Sequence, residues 1–191
     1  MNDKDSQVTP YPWYQVGEWS KFEQREEDPP KLEQGDLLPN CPVLIIPNNL
    51  TENLLAAEPN SEIDVTPEIQ FIDLIIMSQS CDLAQDKIEQ VLLCGYLPAL
   101  DNFRKDDRVS IRKEQRPALH MIEKCEIAGY EFGRQVIDFR TIYTLPKDFI
   151  LSFAQTLGPR VRLLSPYKEH LSQAFARYFM RVGLPRPLKD E

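Results

Sequence analysis

The pattern of apolar and polar positions predicts strands through most of the chain and two helices near its end. Short runs of β-branched and other apolar residues, bounded by proline, glycine or polar residues, are typical of strands. Such runs occur at 42–47, 70–77, 88–94, 117–126, 134–143 and 160–164. Apolar residues at helical spacing predict helices over 145–157 and 166–182. Gly158-Pro159 marks the end of the first helix, and Ser165-Pro166 supplies an N-cap and a first-turn proline for the second.

The strands at 70–77 and 88–94 are joined by about ten mostly polar residues, which predicts an antiparallel pair. A continuous apolar run indicates a strand buried on both faces, and the loop after such a strand is a common location for functional residues. This polar loop begins with Ser78-Gln79-Ser80-Cys81-Asp82. The polar loop is therefore the first candidate for a functional site.

Residues 1–34 differ in composition from the rest and are predicted to form an acidic, aromatic N-terminal arm. The arm has four prolines and an acidic block at 23–28, but it also contains both tryptophans of the chain, Trp13 and Trp19. Because disordered tails are poor in aromatic residues, we expect the arm to dock either on its own body or on a partner. Residues 35–191 are predicted to form one domain, which includes the two helices.

Charge is distributed unevenly along the chain. The net charge of −8 disfavours binding to nucleic acid or to an anionic membrane. Residues 158–191 nevertheless carry seven basic and three acidic side chains, a net charge of +4. This basic C-terminal end is compatible with an acidic partner, and equally with contact to the acidic arm.

The sequence predicts a cytoplasmic location. The N-terminus is polar and has no apolar segment of the kind that a secretion signal needs. No apolar run reaches the roughly 20 residues that span a bilayer. We therefore expect reduced cysteines at positions 41, 81, 94 and 125.

Several short motifs occur in a recognisable order: Gly35-Asp36, Leu74–Ser78, Val91–Pro98, Asp138-Phe139-Arg140-Thr141 and a closing helix. This order resembles the PemK/MazF-like small β-barrel family over about residues 34–183, with insertions at 48–68 and 101–116. The resemblance implies an α+β fold: a compact, mostly antiparallel, SH3-like β-barrel with C-terminal helices, from a bacterium. The Ser-Gln-Ser-Cys-Asp loop also resembles that of uncharacterised bacterial proteins, which implies no activity.

Many members of the PemK/MazF-like family are toxins that cleave single-stranded RNA. The resemblance implies catalytic roles for Ser78 and Arg140, and it requires an arginine near the start of the strand that enters the serine loop. Here that start is Gln70-Phe71-Ile72-Asp73, without arginine, and the surrounding loops are acidic. We therefore expect this chain to share the fold of the family but not its RNA-cleaving activity, since one fold supports many functions.

Cys81, Cys94 and His120 are candidate zinc ligands, with Asp82 or Cys125 as a fourth. Zinc sites need three or four sulfur, nitrogen or oxygen donors, usually with closely spaced pairs. The first two cysteines are 13 residues apart, and no Cys-x-x-Cys occurs. The alternative is that Cys94, at the end of an apolar strand, is a small hydrophobic core residue.

A second chemical hypothesis is covalent catalysis by Cys81, with His120 as base and Asp82 or Glu123 as the group that orients it. No local signature of a cysteine hydrolase accompanies these residues. The simpler alternative is that Ser78–Asp82 forms a turn held by hydrogen bonds from backbone amides to serine and aspartate side chains.

These observations favour a non-enzymatic protein-binding or regulatory subunit of a bacterial toxin–antitoxin or defence-type complex. Its partner contacts are predicted at Trp13 and Trp19 of the arm and at Arg177 and Arg181 of the basic end. A PemK/MazF-like endoribonuclease and a metal- or cysteine-dependent hydrolase remain alternatives. No cofactor is expected, zinc being the one alternative, and phosphate-binding loops are absent from the sequence.

Overall fold

The computed structural model describes residues 11–17, 32–45, 50, 55, 58 and 67–180. The strands in this part of the chain are β1 (Tyr14–Gly17), β2 (Leu37–Ile45), β3 (Glu68–Ile76), β4 (Gln90–Pro98), β5 (Leu119–Ile122), β6 (Gln135–Pro146) and β7 (Arg160–Leu163). The helices are α1 (Ser80–Ala84), α2 (Ala99–Asn102), α3 (Lys105–Arg112), α4 (Lys147–Leu157) and α5 (Tyr167–Phe179). None of these helices is long and apolar enough to cross a membrane.

The strands form a five-stranded sheet of order β2-β3-β4-β6-β5 and a two-stranded sheet of β1 and β7. All neighbouring strands are antiparallel. An isolated bridge between Asp36 and Arg162 joins the small sheet to the start of β2. The described strands do not close into a barrel, although the Tyr14 hydroxyl of β1 donates a hydrogen bond to the carbonyl of Glu123, just after β5. The predicted α+β class with a mostly antiparallel sheet is therefore confirmed.

Where β3 and β4 pair, residues 74–76 and 93–95 are buried, as the apolar runs predict, whereas residues 68–71 of β3 are exposed. Side chains of a strand point alternately to opposite faces of the sheet. Ile75 and Cys94 pack on one side, in a core that includes residues of β1, β7 and α5. Leu74 and Leu93 pack on the other side, against Ile150 of α4. Strands β1 and β7 and helix α5 cover one face of these segments, and helix α4 covers the other. Both faces are therefore shielded from water.

Several predicted boundaries differ from the structure. Strand β2 begins at Leu37 rather than at position 42, because a bulge with Asn40 at φ 52° carries the strand past Pro39. Part of the polar loop is the short helix α1. The N-cap of α5 is Pro166 rather than the predicted Ser165, whose hydroxyl instead donates to the Glu169 carboxylate at 2.7 Å.

A bulge in β6 bends the five-stranded sheet. Gly95 of β4 lies opposite Asp138 and Cys94 lies opposite Ile142, so that three residues of β6, 139–141, have no partner on β4. Bulges of this kind bend a strand and increase its twist. A side chain at Gly95 would meet the bulge, because its Cβ would lie 2.9 Å from Cγ2 of Thr141.

Residues 11–17 of the arm dock on the chain's own body. Strand β1 pairs with β7, and the amide of Leu164 donates to the carbonyl of Trp13 at 2.9 Å. The Trp13 ring stacks on Tyr167 with the ring centroids 3.6 Å apart. Trp19, which the sequence places in a predicted partner contact, lies outside the described residues.

Candidate functional site

The serines of the polar loop hold the loop in place. The hydroxyl oxygen of Ser78 accepts a hydrogen bond from the amide of Leu92 on β4 at 2.8 Å. That of Ser80 accepts one from the amide of Gln34, before β2, at 3.1 Å. Such side-chain acceptors stabilise turns by satisfying backbone donors. Both serines therefore have a structural role that does not depend on any catalytic activity.

Of the other residues predicted for catalysis, Cys81 and Asp82 are adjacent and Arg140 lies apart from them. Cys81 is exposed, and its thiol donates to the neighbouring Asp82 carboxylate at 3.7 Å. Arg140 lies in the β6 bulge and makes two hydrogen bonds to Asp138, at 2.8 and 2.6 Å. No hydrogen bond or ion pair joins Arg140 to Ser78, Cys81 or Asp82 in the described part of the chain.

The predicted zinc ligands are not assembled. Among residues 11–17, 32–45, 50, 55, 58 and 67–180, no group of three or more histidine, cysteine, aspartate or glutamate side chains is placed to hold a metal ion. Burial raises the pKa of Cys94 to about 12, so this thiol stays protonated inside the core. Cys94 therefore behaves as the small hydrophobic residue of the alternative interpretation.

His120, the predicted base, lies on β5 at the edge of the five-stranded sheet, whereas Cys81 lies in α1, which connects β3 to β4. The order of the strands therefore separates the two residues. Its ring lies above Phe139, with the ring centroids 6.3 Å apart. Burial lowers the pKa of His120 to about 4, so the imidazole is neutral near pH 7. Glu123, the predicted orienting group, makes two hydrogen bonds to Arg134, at 2.7 and 3.0 Å.

The Gly35-Asp36 motif belongs to a buried ion cluster. The Asp36 carboxylate is fully buried and pairs with the guanidinium groups of Arg160 and Arg162, both on β7. Arg162 also pairs with Glu33 at 3.0 Å. Two of the basic residues that the sequence assigned to a basic end are therefore neutralised inside the molecule.

A cavity of about 410 Å³ lies at the junction of the two sheets. We call it the junction cavity, and its lining includes Asp73, Tyr96, Tyr130, Phe132, Gln135 and Arg160. The lining comes from the start of β2, from β3, from the end of β4, from residues 130–135 around the start of β6, and from residues 157–161 around the start of β7. Its volume is in the range of small-ligand sites, which are mostly apolar with a few placed polar groups.

One polar atom of the junction cavity has no partner. Gln135 is 6% exposed, and its Nε2 donates to the carbonyl of Gly133 at 3.0 Å. This bond fixes the orientation of the amide, and its Oε1 has no hydrogen-bond partner among the described residues. Leaving a buried acceptor unsatisfied costs about 1–3 kcal/mol, and this atom is itself shielded from solvent.

The charges around the junction cavity are mainly negative. Oδ1 of Asp73 accepts from the amide of Asn40 at 2.8 Å, and Glu131 lies on the exposed rim. Burial, together with the charge of Asp73, raises the pKa of Tyr96, so its phenol stays protonated. Arg160 adds little positive potential, because Asp36 neutralises its guanidinium group.

Beside the cavity, β2 and β3 extend beyond the rest of the sheet as a two-stranded ribbon, because β3 pairs with β4 only from Leu74. On one face of this ribbon Leu44 lies opposite Ile69, and Pro42 lies opposite Phe71. We call these four residues the ribbon patch. Leu44, Ile69 and Phe71 are 66%, 57% and 69% exposed.

A more open groove of about 640 Å³ runs beside α3, and its lining includes the basic residues Lys105, Arg108, Arg112, Lys124 and Arg134. Part of that charge is used internally. Arg108 donates to the carbonyls of Leu100 and Phe103 at 3.2 and 3.0 Å, and Arg134 pairs with Glu123. The groove therefore makes a weaker site than the junction cavity.

Neither the junction cavity nor the ribbon patch follows from the sequence pattern. The patch has one visible signal, because Ile69 and Phe71 alternate with Glu68 and Gln70, which would otherwise mark the solvent face. The cavity has none, because its lining comes from five separate parts of the chain. In comparisons with known proteins, no family model and no curated protein matches this chain.

Proposed function

We propose that this chain is a non-enzymatic protein-binding subunit whose partner docks on the ribbon patch. The observation that carries the proposal is the exposure of Leu44, Ile69 and Phe71, each more than half accessible to water. They lie side by side on one face of the ribbon. Contiguous exposed apolar surface of this kind is typical of interaction sites in soluble proteins.

The charge of the ribbon defines the kind of partner. Strands β2 and β3 contain Glu68 and Asp73 but no lysine or arginine. Charge complementarity favours a partner whose apolar contact surface is bordered by basic residues. A second copy of the same ribbon would place like charges together, which disfavours self-association.

The positions of the chemical groups support binding over catalysis. Ser78 and Ser80 are held by backbone amides, and Cys94 is buried in the core. The proposal keeps the predicted setting, a toxin–antitoxin or defence-type complex in a bacterial cytoplasm. Support for that setting, and for descent from an SH3-like barrel, comes from the resemblance at Gly35-Asp36 and residues 138–141.

The test is photo-cross-linking in cells from single positions on the ribbon. A benzophenone amino acid replaces Ile69 or Phe71, and the matched control replaces Gln70, which is exposed on the opposite face of β3. We expect one partner to be cross-linked from positions 69 and 71 and not from position 70. Equal cross-linking from all three positions, or cross-links only to a second copy of the chain, would contradict the proposal.

The purified partner then provides the quantitative test. Burying a large apolar side chain contributes roughly 1.5–3 kcal/mol, so Phe71→Ser is expected to weaken binding about 10- to 100-fold. Gln70→Ser is the control and should leave the affinity within about twofold of the wild type, since it removes no apolar contact. Isothermal titration calorimetry measures both, and an unchanged affinity for Phe71→Ser would refute the proposed surface.

A further inference from the structure

The ribbon patch and the junction cavity lie on the same side of the sheet. Ile69, Phe71 and Asp73 alternate along β3, so their side chains share one face. The first two are exposed on the ribbon, and Asp73 lines the junction cavity. A partner segment that lies along the ribbon patch would therefore meet the mouth of the cavity.

The junction cavity presents hydrogen-bond acceptors to whatever enters it. Asp73 lines the cavity, and no hydrogen bond to its Oδ2 is found in the described residues. Glu131 adds a second carboxylate at the rim. A group that fills this site needs N–H donors, and the two carboxylates favour a positive charge.

The walls of the junction cavity suit a cation with an apolar stem. Tyr96, Tyr130 and Phe132 line it, together with prolines from three separate segments. Aromatic faces attract ammonium and guanidinium groups, and apolar walls pack against the methylene stems of lysine and arginine. Because Arg160 is paired with Asp36, its charge does not repel a second cation.

We infer that the junction cavity receives the arginine or lysine side chain of a partner docked on the ribbon patch. This inference rests on the proposed function and adds the chemistry of its recognition. The cationic head would donate hydrogen bonds to the Asp73 carboxylate, and the stem would lie between the aromatic walls. The cavity would then recognise one basic side chain of the partner, while the ribbon patch supplies the apolar contact.

The probe is the peptide acetyl-Leu-Arg-Leu-amide, titrated into the isotope-labelled full-length protein and followed by NMR. We expect saturable shifts at the residues that line the junction cavity, with a Kd on the order of 1 mM for so small a ligand. The same peptide with citrulline in place of arginine is nearly isosteric and uncharged, and should bind at least about tenfold more weakly. Equal binding of the citrulline peptide would overturn the inference, as would shifts confined to other surfaces.

A matched pair of variants tests the acceptors. Asp73→Asn keeps the Oδ1 that accepts from Asn40 and removes the charge, and should weaken binding of the arginine peptide at least about tenfold. Glu89→Gln removes an exposed carboxylate just before β4, at the end of that strand remote from Tyr96, and should leave the affinity unchanged. Equal loss in both variants would indicate general charge attraction and overturn the inference.

Free agmatine separates two sources of the guanidinium group. Binding of agmatine as tightly as the peptide would assign the cavity to a small metabolite and refute the side-chain inference. The cross-linked partner separates this inference from the proposed function. A partner that binds Asp73→Asn as well as the wild type overturns the cavity inference alone, whereas loss of face-specific cross-linking overturns the proposed function.

Discussion

Asp36 is a buried charge whose balance depends on residues far along the chain. Its carboxylate is fully buried and pairs with Arg160 and Arg162, which are themselves 4% exposed. Removing one partner of a buried ion pair leaves uncompensated charge, which typically costs about 3–5 kcal/mol. The cluster therefore matters more for folding than its exposed neighbours do.

We predict that Asp36→Asn lowers the free energy of unfolding by about 3–5 kcal/mol, because both arginines lose the charge that neutralises them. Glu33→Gln is the matched control, since Glu33 is partly exposed and contacts Arg162 from the rim. It should cost less than about 1 kcal/mol. Chemical denaturation followed by circular dichroism measures both, and comparable losses would show that burial of Asp36 is not decisive.

His120 makes stability depend on pH. Its pKa is lowered to about 4 by burial, with smaller contributions from Glu114, which raises it, and from His170 and Arg177, which lower it. An unfolded histidine has a pKa near 6.5. Between these values the unfolded chain binds more protons than the folded one, so the free energy of unfolding falls as the pH falls from about 6.5 to about 4.

We predict that this loss amounts to about 2–3 kcal/mol and that His120→Gln removes it. The measurement is the urea midpoint between pH 7 and pH 4.5, where the variant should show a flatter profile than the wild type. His170→Gln, at the exposed histidine of α5, serves as the control and should keep most of the wild-type slope, because His170 lowers the pKa of His120 less than burial does. A wild-type slope in the His120 variant would assign the pH dependence to carboxylates.

Single residues show where sequence reasoning stops. The Gly35-Asp36 motif is visible in the sequence, but the partners of Asp36 lie 124 and 126 residues away, so the sequence alone places them in a basic surface. Formal charge is visible in a sequence, whereas the pairing that cancels it is not. Gln135 gave no signal either, because an unsatisfied amide arises only from the geometry of its neighbours.

At the scale of elements, the strongest patterns were predicted best. Strands β3, β4 and β6 and helices α4 and α5 follow from their apolar runs and spacing, with ends shifted by a few residues. The predicted β2 is too short because Pro39 and Pro42 resemble boundaries, whereas the bulge between Leu38 and Cys41 accommodates Pro39, and Pro42 lies opposite Phe71 within the strand pair. Short α1 was missed because hydrophobic periodicity needs more than one turn to be seen.

The β6 bulge depends on the glycine that faces it. We predict that Gly95→Ala lowers the free energy of unfolding by about 1–3 kcal/mol, because the new Cβ would lie 2.9 Å from Cγ2 of Thr141. Thr141→Ser removes that methyl group and should restore part of the loss in the double variant. A double-mutant cycle on thermal unfolding checks this, and strictly additive effects would show that the contact is not the cause.

At the scale of the whole molecule, the described chain combines a sheet whose central segments are covered with a ribbon that has one exposed apolar face. The sheet has cores on both of its faces. The ribbon and the junction cavity form at the margin of this sheet, where Leu44, Ile69 and Phe71 stay exposed. Because the ribbon and the cavity lie at this margin, the local sequence pattern points to the polar loop and not to the surface most suited to binding.

The buried ion cluster also bears on how the chain is made. Strand β2 follows directly from Asp36, yet the cations that neutralise this residue are 124 and 126 residues further along. At about 5–20 residues per second, roughly 6–25 seconds separate the synthesis of the acid from that of its bases. During this interval Asp36 has no counter-ion from β7. Burial of its carboxylate is therefore unfavourable until β7 has been synthesised. A ribosome that stopped before position 160 would release a product without its internal counter-ions, which is open to proteolysis.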